Sequence, residues 1–109
     1  MSERVMIVVT VPPDAVDAVL DAIAGAGGGV IGNYTHCAFT SAGAGRFKPE
    51  AGATPHVGAV EEINSVDEVR IETFAGRAQA KAVVAAIRAA HPYEEPVIYI
   101  IPLLSEEEL

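Results

Sequence analysis

Apolar and polar positions alternate or repeat along this chain in a way that predicts four strands and two helices. Residues 4–11 (RVMIVVTV) form a short β-branched run, which is typical of a strand. Both faces of that strand are largely apolar, because even and odd positions alike carry mainly Val, Ile or Met. Three further strands are predicted at residues 30–41, 66–74 and 97–103, and the last is again apolar on both faces.

Each predicted helix follows a strand and repeats apolar residues at the spacing of one buried helix face. The first opens at Pro12-Pro13-Asp14 and ends in the glycine-rich run at residues 25–29. The second covers about residues 77–90, and Pro92 stops it. The apolar faces carry Val16, Val19, Leu20 and Ile23 in the first helix and Ala80, Val83, Val84 and Ile87 in the second.

The glycine-rich stretch after the second predicted strand interrupts this regular pattern. Gly43-Ala44-Gly45 is expected to break the strand, and residues 46–49 to form a short extended return. Residues 50–55 are predicted as loop, and residues 56–63 are compatible with one more short extended piece.

An internal repeat at a spacing of 64 residues relates the two halves of the chain, since Val5 and Ile7 match Val69 and Ile71. Each half is strand, helix, strand. The sequence therefore predicts an α+β fold of the ferredoxin-like split β-α-β type, a four-stranded antiparallel sheet with two helices on one face. An extra hairpin or loop is inserted between the second and third main strands. Residues 1–104 form the single predicted domain, and residues 105–109 an acidic, frayed tail.

This fold leaves one face of the sheet without helices. Because the first and last strands are apolar on both faces, a monomer would expose a sizeable apolar patch. We expect self-association to cover it. The alternative is that residues 46–63 fold back as a lid.

The charge and the cysteine content limit the kinds of partner and the cell compartment that we expect. A net charge of −8 argues against nucleic acid and suits metal cations or basic partners, although solubility alone also explains it. The lone Cys37 cannot form an internal disulfide, so the cytoplasm is the expected compartment. The chain shows neither a signal-peptide pattern nor an apolar run long enough for a membrane span.

Two motifs resemble a known family, and the likeness covers about residues 3–104. The first motif is Gly32-Asn33-Tyr34-x-His36-Cys37-x-Phe39, followed by Gly43-x-Gly45-x-Phe47-x-Pro49 and Pro55-x-x-Gly58; the second is His91-Pro92-Tyr93-Glu94-x-Pro96. Together they resemble the YqfO-type domain inserted in the longer bacterial Nif-three-like (NGG-one-interacting factor three) proteins. The second motif is also similar to a segment of CutA, the divalent-ion tolerance protein.

The resemblance implies a domain like those of CutA and the PII signalling proteins, which form trimers of ferredoxin-like subunits. In the long family members the dinuclear metal site lies in two flanking α/β domains. This sequence has no counterpart of them, so we do not expect metal-dependent hydrolase or GTP cyclohydrolase activity to carry over.

Five side chains are candidate ligands for zinc or copper. They are His36, Cys37, His91, Glu94 and Glu95. Both histidines follow helices, so we expect them toward the same end of the sheet, but on its two edge strands and too far apart to share an ion within one subunit. A shared site would form between subunits. The alternative, which the spacing favours, is that His36 makes a strand hydrogen bond and His91 caps a helix. Tyr93 suits a half-buried pivot with one hydrogen bond.

A second candidate site is an anion-binding loop, in which backbone N–H groups and two cations would face the ligand. It consists of Gly43, Gly45, Arg46, Phe47 and Lys48. No helix follows the glycines, so the pattern is not a P-loop. The alternative is the tip of a glycine hairpin with solvated charges.

Enzyme chemistry has little support, because Cys37 and His36 are adjacent strand residues whose side chains diverge. The sequence predicts a non-catalytic, oligomeric PII/CutA-like module that binds a small ligand, a metal ion or a protein partner. The alternatives are a metal-dependent enzyme, by analogy with the long Nif-three-like proteins, and a pure assembly element. A divalent metal ion is the candidate cofactor. The predicted partners are further copies of the chain, with a trimer favoured, and neither nucleic acid nor a membrane.

Overall fold

Four strands form one antiparallel sheet in the computed structural model, which describes residues 3–109. The strands are β1 (Arg4–Val11), β2 (Phe39–Phe47), β3 (Asn64–Gly76) and β4 (Ile98–Leu103). Their order in the sheet is β2-β3-β1-β4, with every neighbouring pair antiparallel. Together with two helices, this is the arrangement of a ferredoxin-like split β-α-β fold, and the predicted fold class is confirmed.

Both helices pack on one face of the sheet and enclose the core. Helix α1 (Val16–Gly25) follows a 3-10 turn (Pro13–Ala15), and helix α2 (Ala80–Ala90) follows β3. The buried core consists of Val5, Ile7, Val9, Val11, Val19, Ile23, Ile71, Ala75, Val83 and Ile87. The odd positions of β1 therefore face the helices, and the predicted helix faces supply Val19, Ile23, Val83 and Ile87.

The second strand lies further along the chain than predicted. Residues 30–38 are connection rather than strand, because Gly29, Gly32 and His36 have left-handed backbone angles that end an extended run. The glycines were expected to break the strand, but Gly43 and Gly45 lie inside β2 opposite Glu68 and Val66 of β3. Pairing with a long partner strand overrides the weak strand propensity of glycine. Residues 48–63 contain no strand and connect β2 to β3.

The acidic tail contains a short 3-10 turn at Glu106–Glu108, which the Ser105 hydroxyl and the Glu108 carboxylate cap. No helix within residues 3–109 is long and apolar enough to cross a membrane.

The sheet face away from the helices is open, and it is apolar along β1 and β4, whereas β3 contributes the ion pair of Arg70 and Glu72 to the same face. Residues that are paired across strands share a face, so Phe39, Tyr99 and Ile101 lie on this side with Met6 and Val8 of β1. Phe39 is 66% exposed, Tyr99 55% and Ile101 43%. The expectation of an uncovered apolar face therefore holds for the single chain.

Candidate ligand-binding cleft

A cleft of about 360 Å³ lies where the ends of β1 and β2 meet β3 and two connections. One connection is the segment 48–63; the other joins α2 to β4. The walls carry the apolar residues Phe47, Pro49, Ala53, Pro55, Val57 and Val97 and the polar residues Thr10, Arg46, Lys48, Glu50, His56, Glu68, Tyr93, Glu94 and Glu95. A mainly apolar concavity with a few polar groups is typical of a small-molecule site.

The segment 48–63 folds back onto the α2–β4 connection and forms one side of the cleft. The backbone N–H of Thr54 donates to Oε1 of Glu94 at 3.1 Å. The ring of His56 lies 6.1 Å from the ring of Tyr93, at an interplanar angle of 50°. Part of the lid alternative is thus observed at this end of the sheet, but the lid leaves Phe39 and Ile101 exposed.

His91 fixes the α2–β4 connection from inside. Its side chain is buried, its Nε2 lies 2.8 Å from the carbonyl oxygen of Thr10, and its Nδ1 lies 3.1 Å from the backbone nitrogen of Tyr93. A carbonyl only accepts and an amide N–H only donates, so Nε2 carries the proton and Nδ1 accepts. Both ring nitrogens are engaged. His91 also ends α2, since its N–H donates to the Ile87 carbonyl at 2.9 Å.

Tyr93 lines the cleft with its ring, while its hydroxyl oxygen is buried in the wall. The ring is half-buried, as predicted, but the buried hydroxyl oxygen makes no hydrogen bond within the described residues, where one was predicted. Burial raises the pKa of the Tyr93 phenol, and the nearby carboxylates of Glu68 and Asp14 raise it further. The Glu68 carboxylate lies close to the phenol and contributes to this rise, although the geometry of the pair is looser than that of a regular hydrogen bond. The phenol is therefore neutral at physiological pH.

The predicted anion loop does not exist as a loop. Gly43, Gly45, Arg46 and Phe47 are strand residues of β2, and Lys48 follows directly. These residues are extended in the β2–β3 ladder, so successive N–H groups point in alternate directions and do not form the concave nest that an anion loop needs. Arg46, Phe47 and Lys48 nevertheless line the cleft, together with Glu94 and Glu95 from the predicted metal set.

The two candidate histidines lie at opposite ends of the sheet, and the prediction of a common end was wrong. Each helix returns the chain to the start of the next strand, so β2 runs parallel to β1 and β4 runs parallel to β3. Because β3 is antiparallel to β1, β2 and β4 begin at opposite ends of the sheet. Cys37 consequently lies beside Met6 and Leu103, while His91 reaches Thr10 at the far end of β1. No group of three or more His, Cys, Asp or Glu side chains in the described part of the chain is arranged to hold a metal ion.

His36 and Cys37 have separate local contacts. His36 is exposed, has a left-handed φ of 59°, and its Nδ1 lies 3.0 Å from the hydroxyl of Thr35. The half-buried Cys37 thiol points to the Thr35 carbonyl at 3.8 Å. In neither contact does the His36 imidazole bond the Cys37 thiol, as a base must bond a nucleophile.

The residues that sequence reasoning missed are His56 and Glu68. Both reach the cleft through long-range structure: His56 through the folding back of segment 48–63, and Glu68 through the register of β3 against β2. Local periodicity carries no signal for either contact. The sequence also gave no indication that Arg46 and Lys48 line the same cleft as the His91–Pro96 motif, because the two segments are distant in sequence.

The chain is similar to one segment of several longer proteins. It is 45% identical over 102 residues to a GTP cyclohydrolase 1 type 2 homolog of Halalkalibacterium halodurans, covering 94% of this chain and 27% of the relative. It is 46% identical over 95 residues to the homolog of Bacillus subtilis, covering 87% of this chain and 26% of that relative. The chain thus spans about a quarter of the curated relatives it matches. No family model matches it.

Solved structures point the same way. A Bacillus cereus protein related to NIF3 matches with a TM-score of 0.83 at 38% identity, over 95% of this chain and 26% of that one. CutA1 of Shewanella sp. SIB1 matches with a TM-score of 0.70 at 18% identity, over 95% of this chain and 84% of that one. The second likeness shows the fold alone.

Proposed function

We propose that this chain, which belongs to the Nif-three-like family, is a non-catalytic, oligomeric module whose cleft takes a small ligand. The observation that carries the proposal is the 360 Å³ cleft, whose walls combine apolar side chains such as Phe47 and Val97 with the charged residues Lys48 and Glu68. The cleft volume falls within the range of about 300–1,000 Å³ seen for small-molecule sites.

The ligand reading can be tested by a thermal-shift screen of small metabolites, with GTP and zinc included as separate arms. Ala53 lines the cleft, and Ala53→Phe should fill part of it. Ala51 lies on the same connection, is exposed and does not line the cleft, so Ala51→Phe is the matched control. Hits should lose their stabilising effect in Ala53→Phe and keep it in Ala51→Phe. Equal responses in both variants would contradict a ligand site in this cleft.

Self-association is the second part of the proposal. Phe39, Tyr99 and Ile101 form an apolar face that soluble monomers rarely expose. The CutA/PII resemblance supports a trimer, in which these faces would pack against neighbouring subunits. Light scattering at micromolar concentration should give a multiple of 11.3 kDa. Ile101→Glu should lower that mass, whereas Ile63→Glu, in the β2–β3 connection and 74% exposed, should not. A monomeric mass for the unmodified chain would contradict this part.

The other functions have weaker support. A metal bound by the predicted set is disfavoured because both ring nitrogens of His91 are engaged and His36 lies at the opposite end of the sheet. A reaction of the kind named in the curated relatives would concern proteins of which this chain is a quarter, and His36 and Cys37 do not pair as a base with a nucleophile. A pure assembly element is the outcome if the screen finds no ligand. The lone cysteine keeps the cytoplasm as the proposed compartment.

A further inference from the structure

Segment 48–63, which forms one side of the cleft, returns close to its starting point, so its two ends meet at a neck. The N–H of Glu61 donates to the carbonyl of Pro49 at 2.6 Å. Pro49 is buried, whereas most other residues of the segment are exposed. Loops whose ends lie this close together are compact surface units. The residues between the two ends therefore form a loop that the neck closes.

Asn64, the first residue of β3, holds the neck from the side of the sheet. Its Oδ1 accepts the Ala59 N–H at 3.0 Å, and its Nδ2 donates to the carbonyls of Ala59 at 2.9 Å and Glu62 at 2.8 Å. A Cβ on Gly58 would lie 2.9 Å from the Cγ of Asn64, so Gly58 leaves the space that this side chain occupies. Together with the bond between the two ends of the segment, these three bonds fix the neck.

The tip of the segment, residues 50–57, is held much more weakly. Within the described part of the chain, one hydrogen bond joins the tip to the rest of the molecule: the Thr54 N–H donates to Oε1 of Glu94 at 3.1 Å, and both residues are exposed. The tilted rings of His56 and Tyr93, 6.1 Å apart, add one further contact. Regions with exposed hydrogen bonds and few buried contacts open at a low free-energy cost.

We propose that the tip opens and closes over the cleft about the fixed neck, and that Glu94 holds it closed. When the bond between Thr54 and Glu94 breaks, the tip moves away from the α2–β4 connection while Asn64 keeps the neck on β3. Glu94 is thus a positioning residue, because it places the part of the cleft wall that carries Ala53 and His56. The hinge itself requires no ligand; its control of access to the cleft rests on the proposed function.

Amide hydrogen exchange in the ¹⁵N-labelled chain follows the two parts separately. The Thr54 amide reports on the tip, and the Ala59 and Glu61 amides report on the neck. In the unmodified chain we expect Thr54 to be less protected than Ala59 and Glu61, each relative to an unstructured peptide of the same sequence. Equal protection of the three amides would contradict a weakly held tip.

Glu94→Ala should raise the exchange rate of Thr54 about tenfold, because a charge-assisted bond is lost, and should leave Ala59 and Glu61 unchanged. Glu94→Gln keeps an acceptor oxygen and should restore most of the protection. Glu95→Ala is the matched control, since Glu95 is also exposed and lines the cleft, but Thr54 bonds Glu94. The control removes the same charge and should leave Thr54 unchanged.

Asn64→Ala tests the neck. It removes the partner of the Ala59 N–H, so the exchange rate of Ala59 should rise. The rate of Thr54 should rise as well, because the tip then lacks a fixed base. An unchanged Ala59 amide in this variant would contradict the role of Asn64.

The possible failures are distinguishable. If Glu94→Ala accelerates all three amides together, the segment opens as one piece and the hinge is overturned. If Glu94→Ala has no more effect on Thr54 than Glu95→Ala, Glu94 does not hold the tip. Both results leave the cleft as a ligand site untouched, because the paired Ala53→Phe and Ala51→Phe screen decides the proposed function separately.

Discussion

The two helix-to-strand connections, residues 26–38 and 91–97, occupy equivalent places in the two halves of the fold but are held in opposite ways. Backbone groups hold the first: Gly29 N–H donates to the Phe74 carbonyl at 2.7 Å, and Cys37 N–H donates to the Gly29 carbonyl at 2.9 Å. The hydroxyl of Thr73 adds a bond to the Cys37 carbonyl at 2.8 Å. In the second connection the buried side chain of His91 makes the decisive contacts.

His36 and His91 each follow a helix, but the two residues have different structural roles. His36 is exposed and contacts its own neighbour, Thr35, whereas His91 joins β1 to the α2–β4 connection. The sequence predicted both residues as candidate metal ligands because both carry an imidazole. Burial and hydrogen bonding, which depend on the packed structure, separate them.

The largest effect should come from Gly29→Ala in the connection that depends on backbone. Gly29 has a φ of +69°, and a Cβ there would lie 2.6 Å from the carbonyl oxygen of Cys37. The left-handed angle and the overlap with rigid backbone together should lower the free energy of unfolding by about 4 kcal/mol. Urea denaturation at a fixed protein concentration measures it.

Two other glycines serve as controls for Gly29. Gly32 has a φ of +55° and open space around a Cβ, so Gly32→Ala should cost only about 1 kcal/mol for the backbone angle. Gly25 lies in α1, also with open space, and Gly25→Ala should be neutral or stabilise by up to about 1 kcal/mol. A loss for Gly29→Ala no greater than that for Gly32→Ala would contradict the backbone overlap.

His91→Ala should give the next largest loss, in the connection that depends on a side chain. The carbonyl of Thr10 and the N–H of Tyr93 would both lose their partner. We expect a loss of about 3 kcal/mol in the free energy of unfolding, because buried groups left unpaired are costly. His36→Ala is the matched control and should change stability by less than about 0.5 kcal/mol. Similar losses in the two variants would remove the contrast between the connections.

Much of this fold follows from local pattern. Residues 4–11 and 97–103 are short runs rich in β-branched residues, Val19 and Ile87 lie on amphipathic faces, and the 64-residue repeat gives the topology. The prediction failed at residues 30–38, which were predicted as strand but form a connection, and at residues 43–45, which were predicted to break the strand but lie inside β2. The backbone angle of His36 and the pairing of Gly43 and Gly45 with β3 depend on contacts distant in sequence. Propensity alone does not specify them.

The candidate site was predictable only in pieces. Arg46, Lys48 and Glu94 were marked as candidates, but for two separate sites and two different ligands. The structure brings them to one cleft because segment 48–63 folds back and Thr54 bonds Glu94. Glu68 gave no local signal, since its position depends on the register of β3 and on the missing side chain at Gly45.

A pH experiment tests the raised pKa of Tyr93, which lies in the second connection. Its folded-state pKa is raised, so the phenol keeps its proton in the folded chain above pH 10, where an unfolded tyrosine loses it. The unfolded state then binds fewer protons, and stability falls as pH rises from about 10 toward the folded-state pKa. The unmodified chain should therefore lose stability faster than Tyr93→Phe over this window. Parallel curves would contradict the raised pKa.

The smallest effect should come from Cys37→Ser in the first connection. The backbone N–H and carbonyl of Cys37 make the structural contacts, and both survive the substitution. The thiol is half-buried and makes one weak contact, 3.8 Å from the carbonyl of Thr35, which a serine hydroxyl can replace. We expect a change below about 0.5 kcal/mol by urea denaturation and an unchanged oligomeric mass by light scattering. A loss above about 3 kcal/mol would instead show that the thiol packs or binds a ligand, and that the first connection depends on a side chain as the second one does.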